Sequence, residues 1–145
     1  MRCWSSCGTR GCLPTIDRWR GRLGTAEALT LLSWARLLIA FARFDRWRAT
    51  LGLDGPVRIA DARYCAALVE WAATRQPIEF KCLPRAMALS WMLRRRRLGH
   101  TVVIAVRPAG ARGSRDDLHA WVEVGGETII GDLPGPWVET LRLGG

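Results

Sequence analysis

Between residues 26 and 51, apolar side chains recur at helical spacing. Leu29 and Leu32 are three apart, Leu37 falls four and seven positions before Phe41 and Phe44, Leu38 three before Phe41, and Trp34 three and four before Leu37 and Leu38. Side chains at those intervals share one helix face, so the pattern predicts a helix over 26–51. Thr25 is placed to cap its start through the hydroxyl, and Gly52 to take the left-handed position after its last turn. A second helix is predicted over 57–75. Asp54 and Pro56 suit its start, and the ring of Pro77 cannot continue it. A third begins near Cys82 and ends before Gly99. Pro84 falls in its first turn, where a missing N–H does no harm. Residues 86–93 are apolar on every side except at Ser90, as in a central, buried helix. The arginines at 94–97 crowd the last turns, where cations meet the negative end of the helix dipole, and read as a solvated helix end.

After Gly99 the period drops to two. Residues 101–107 are rich in β-branched side chains and read as a strand, and 108–117 as a polar loop. Residues 118–124 alternate, Gly125-Gly126 supplies a two-residue hairpin turn, and 127–132 returns. Helices followed by a sheet make an α+β domain. Residues 1–24 carry no apolar period and are expected to form a disordered tail, leaving 25–145 as a single domain.

Composition adds constraints. Of 145 residues, 49% are apolar and 24% charged, enough to bury a core and unlike a disordered charged tail. The formal charge is +9, and Lys81 is the only lysine among the 22 cationic residues, a bias that reads as codon composition. A basic surface steers anionic partners, but the arginine run has no further basic and aromatic residues assigned beside it, so no nucleic-acid partner is expected. The richest apolar run, 26–42, is short of the roughly 20 residues of a membrane span and carries Arg36 in its middle, so no transmembrane segment is expected. The first residues lack the apolar stretch of a signal peptide. A cytoplasmic location follows, with Cys3, Cys7, Cys12, Cys65 and Cys82 as thiols. The spacing of Cys3, Cys7 and Cys12 differs from paired zinc knuckles, so no metal is expected.

The hairpin carries a geometric inference. If Gly125-Gly126 is the whole loop, counting back from Val124 and Glu127 sets His119 opposite Asp132. Opposed residues share a face, with Cβ atoms roughly 4.5–5.5 Å apart, and a carboxylate there fixes the tautomer of an imidazole. A one-residue slip destroys the pairing. Cys82, at a helix N-terminus, lies where free N–H groups and the dipole favour a thiolate. Beside His119 it would be an activated nucleophile, and its backbone N–H would face an oxyanion. The amide of Gln76, six positions earlier, is a second oxyanion candidate. Trp121 shares the His119 face and is a candidate substrate-binding residue. Each has an ordinary reading too: a core cysteine, a structural histidine, a turn-starting aspartate, a helix-end glutamine, a core tryptophan. His100 reads as a surface turn residue and Cys65 as core.

The segment from Lys81 to Leu89, Lys-Cys-Leu-Pro-Arg-Ala-Met-Ala-Leu, opens the helix that ends in the arginine run. The strand 101–107, then Leu118-His119-Ala120-Trp121-Val122-Glu123-Val124 and Ile130-Gly131-Asp132, follow it. Together these resemble the leader peptidase of lasso-peptide biosynthesis, the stand-alone protease half of the B protein, which belongs to the transglutaminase-like group of papain-related cysteine proteins. The resemblance covers about 57–135 well and the preceding helix loosely. It implies a transglutaminase-like cysteine protease core with Cys82, His119 and Asp132 as nucleophile, base and orienter. The activity implied is removal of the leader from a ribosomally made precursor peptide, with no cofactor. The partners implied are the precursor leader, a separate leader-recognition protein and, downstream, the ATP-dependent cyclase. Two rivals stay open: acyl transfer or amide chemistry with the same three residues, and a basic peptide- or nucleic-acid-binding module without catalysis.

Overall fold

The computed structural model describes residues 15–113 and 117–144, with side chains from Arg20 onward. The cysteines at 3, 7 and 12 lie outside the described residues. Helix α1 runs Thr15–Phe41, a short α2 Phe44–Trp47, α3 Ile59–Thr74 and α4 Cys82–Arg95. Strands β1 (Thr101–Val106), β2 (Leu118–Val124), β3 (Glu127–Ile130) and β4 (Val138–Leu143) form one antiparallel sheet in the order β3-β2-β1-β4. The domain is α+β, as its pattern predicts.

Two boundaries depart from expectation. Helix α1 begins at Thr15, so residues 15–24 of the expected tail are helical. Thr25 is no cap: it lies mid-helix, and its hydroxyl donates to the Gly21 carbonyl at 2.8 Å. The helix then stops at Phe41, and Arg43 adopts an extended conformation before α2 restarts the chain. That break turns Trp47 inward, 5% exposed, with Phe44 edge-on to it at 4.7 Å. Gly52 takes the left-handed conformation expected of it, with φ +69°.

Helix α4 is the centre of the molecule, packed against α1, α3 and β2. Met87, Leu89, Met92 and Leu93 are fully buried, as is Leu32 of α1. Each such side chain contributes about 1.5–3 kcal/mol by leaving water. Ala120, Val122 and Val124 of β2 and Val102 and Ile104 of β1 complete the core from the sheet. By the two-residue period, His119, Trp121 and Glu123 occupy the opposite face.

Over Arg20–Phe41, α1 is long and apolar enough to span a membrane by length and composition alone, with a mean hydropathy of 1.3. In this fold Ala28, Leu32 and Ala35 pack one face of it into the core, but only 22% of the span is buried, and Leu23, Trp34, Leu37 and Phe41 are exposed.

His100 is not a surface residue. It is 3% exposed, bridged through its backbone to Leu53. Its Nδ1–H donates to the Leu98 carbonyl at 2.8 Å, because a carbonyl only accepts. Nε2 therefore accepts from the Ser90 hydroxyl at 2.7 Å, and the Ser90 oxygen accepts the Gly52 N–H at 3.0 Å. This chain joins α4, the 52–53 segment and the entry to β1. It explains the one polar residue in the apolar run of α4. Burial holds the imidazole below its ordinary pKa, against the Leu98 hydrogen bond and with help from the Arg94 charge.

Candidate active site

Cys82 is the first residue of α4 and is half-buried. Lys81 precedes it in an extended conformation and provides no side-chain cap, so the helix start faces the thiol without a capping group. Arg85, one turn on, donates to Glu70 of α3 at 2.9 Å and ties this end of α4 in place. The Cys82 thiol donates to the Leu118 carbonyl at 3.7 Å, which sets the sulfur against the first residue of β2. His119 is the next residue of that strand.

The β2–β3 hairpin starts in the expected register, Val124 opposite Glu127 and Glu123 opposite Thr128. It then slips: Val122 faces Ile130, and Ile129 is the extra residue of a bulge. The expected opposition of His119 and Asp132 is therefore replaced. The His119 Nε2–H donates instead to the carbonyl of Gly131, at 2.6 Å. Gly131 has φ +83°, and a Cβ there would lie 2.7 Å from the Ala120 carbonyl oxygen. Only glycine brings its carbonyl to the ring in this way. With the proton on Nε2, the lone pair is on Nδ1, so the imidazole is in the tautomer of a base.

Cys82, His119 and Asp132 line one cleft of about 290 Å³, together with Glu70, Glu79, Arg85, Leu133 and Trp137. Asp132 is exposed on its wall. Gln76 is exposed and is not among the residues that line it, so the structure gives the amide no place at the thiol. Trp121 also stands outside this cleft. Its ring lies 5.8 Å from His119, its Nε1–H donates to Glu123 at 2.8 Å, and it lines an adjoining depression of about 200 Å³ that shares His119, Asp132 and Trp137 with the cleft. Burial alone would raise the Glu123 carboxyl, but hydrogen bonds from Trp121 and Arg142 outweigh it and hold the group below its ordinary value.

The residue that sequence reasoning missed is Trp137. Its ring stacks on His119 with centroids 4.9 Å apart and planes 29° from parallel. Its own position is fixed by a hydrogen bond to the Leu133 carbonyl at 3.1 Å and by the Arg107 guanidinium 4.8 Å over the ring. It follows Leu-Pro-Gly-Pro after Asp132, and no local period marks it. Cys65 is core, as expected, and burial pushes its thiol up. Among the described residues no group of His, Cys, Asp and Glu is placed to hold a metal ion.

A thiol at a helix start and an imidazole on a strand lining one cleft are the groups that nucleophilic cysteine chemistry uses. Residues 26–140 match the family model of the Transglutaminase-like superfamily, and the chain belongs to that superfamily, which includes cysteine peptidases. No curated protein and no solved structure matches the chain.

Proposed function

We propose that this chain is a cysteine peptidase that removes the leader from a ribosomally synthesised lasso-peptide precursor. It acts with a separate leader-recognition protein and upstream of an ATP-dependent cyclase, in the cytoplasm. The observation that carries the peptidase reading is Cys82 and His119 in one cleft, with the imidazole held as a base by the Gly131 carbonyl. Superfamily membership supports the cysteine chemistry. The leader, the recognition protein and the cyclase rest on the resemblance of the Cys-Leu-Pro-Arg helix start and the His-Ala-Trp-Val-Glu strand.

In the proposed reaction the Cys82 proton passes to Nδ1 of His119 and the sulfur attacks the scissile carbonyl. The oxyanion meets the backbone N–H of Cys82 at the start of α4. The imidazolium gives its proton to the leaving amine, the new N-terminus of the core peptide. Water, activated by His119, then frees the leader from the sulfur. Asp132 stabilises the imidazolium by its charge.

The test is to incubate the chain with a candidate lasso-peptide precursor and leader-recognition protein and weigh the products. Leader and core whose masses sum to the precursor plus water support hydrolysis, and Cys82→Ala abolishes them. Loss of ammonia with joined chains would replace this reading with amide crosslinking.

A further inference from the structure

Helix α1 turns an uncharged face to the outside. Ala28, Leu32 and Ala35 mark its core side. At 3.6 residues per turn the opposite line runs through Leu23, Ala26, Thr30, Trp34, Leu37 and Phe41, all six exposed. The line is about 27 Å long at 1.5 Å per residue. Its polar members are already satisfied within the helix. The Thr30 hydroxyl donates to the Ala26 carbonyl, and that of Ser33, at the edge of the face, to the Leu29 carbonyl, both at 2.9 Å. Taking this face out of water therefore strands neither hydroxyl proton.

Charge surrounds the face. Arg20 stands at one end, Arg43 and Arg46 at the other and Arg36 on the flank, all exposed. The nearby acids are already engaged: Glu27, its side chain 15% exposed, pairs with Arg95 and Arg96, and Asp45 with Arg48. An apolar ridge edged by arginines fits an anionic occupant. A second copy of the chain would set the same arginines against one another. A lipid surface suits a straight, convex ridge, because its acyl boundary takes Leu, Phe and Trp while its phosphates take the arginines. Since the other side of α1 is packed into the core, the helix can lie along a bilayer but not cross it. We propose that the face from Leu23 to Phe41 docks this chain on the surface of an anionic membrane. The proposal is independent of the cysteine chemistry.

The test floats the full chain with vesicles of phosphatidylcholine, and with vesicles of equal parts phosphatidylcholine and phosphatidylglycerol. Binding to the anionic vesicles should exceed binding to the neutral ones by at least ~10-fold and weaken as salt rises to about 0.5 M. Leu37→Asp combined with Phe41→Asp should lower it by a further ~10-fold or more, with the circular dichroism unchanged. Val57→Asp combined with Ile78→Asp carries the same charge at residues 54% and 48% exposed outside α1, and should cost much less. Equal losses in the two double variants would reduce the binding to attraction between opposite charges and overturn the proposal. A native chain that floats with neither vesicle overturns it too. Sedimentation without lipid reads the other occupants. A dimer that Leu37→Asp with Phe41→Asp takes apart gives the face to a second copy. A complex with a candidate leader-recognition protein that the same variant loses, from a chain that binds no vesicle, gives it to that protein.

Discussion

A carbonyl oxygen only accepts, so the Gly131 oxygen 2.6 Å from Nε2 of His119 leaves Nδ1 as the basic nitrogen whatever Asp132 does. In triads where the carboxylate sets the tautomer, its amide replacement costs about 10⁴ in kcat. Here the tautomer has another source, and Asp132→Asn removes only a charge. Steady-state cleavage should show a loss of roughly 10–100-fold for Asp132→Asn, against abolition for Cys82→Ala and His119→Ala. The second histidine has a different part. His100 is buried neutral, with its pKa depressed, so the unfolded chain takes up a proton below about pH 6.5 that the native chain refuses. Its contribution to stability is full above that pH and is lost as the pH falls toward the depressed native value. The expected slope approaches 1.4 kcal/mol per pH unit within that window. Urea midpoints at pH 7.5 and 5.5 should diverge in the native sequence and converge in His100→Gln. The sequence singles out His119 through the hairpin and takes His100 for a surface turn residue. It misses the burial of His100 and the true partners of His119, because Ser90 around one and Gly131 and Trp137 around the other are brought there by the fold.

At the scale of elements, the hydrophobic pattern places α3, α4, β1 and β2 within a few residues. It does so because each buries one periodic face on a neighbour. It misses β4, whose Leu141 and Leu143 add to the core only after pairing with β1 brings them there. It also misses the bulge at Ile129. Register follows from backbone hydrogen bonds and turn geometry, and nothing in the side-chain alternation of 127–130 records an extra residue. Yet the site depends on that bulge, since it is Gly131 that meets His119. Gly131→Ala puts a Cβ against the Ala120 carbonyl, whereas Gly126, with nearly the same φ of +82°, has nothing within 4 Å of its Cβ position. Both alanines are expected to cost about 1–3 kcal/mol for the left-handed backbone. Only Gly131→Ala adds a clash, so chemical denaturation should rank it the less stable, and cleavage should fall for it and not for Gly126→Ala.

Taken whole, the molecule is a helical layer whose central helix α4 packs on one sheet, with the reactive groups where the start of that helix meets the start of β2. Trp137 reaches this point from beyond the hairpin, which is why a chain-local reading passes over it. The proposed chemistry requires that His119 activate the thiol of Cys82. The most direct measurement is brief alkylation near pH 6, mapped over all five cysteines by mass spectrometry, in the native sequence and in His119→Ala. Ordinary thiols, with pKa about 8.5, react slowly there. Cys82 should be modified first, and its lead over Cys65 and the three N-terminal cysteines should shrink in His119→Ala. A Cys82 that reacts no faster than those thiols, or whose lead survives loss of the imidazole, would contradict the account.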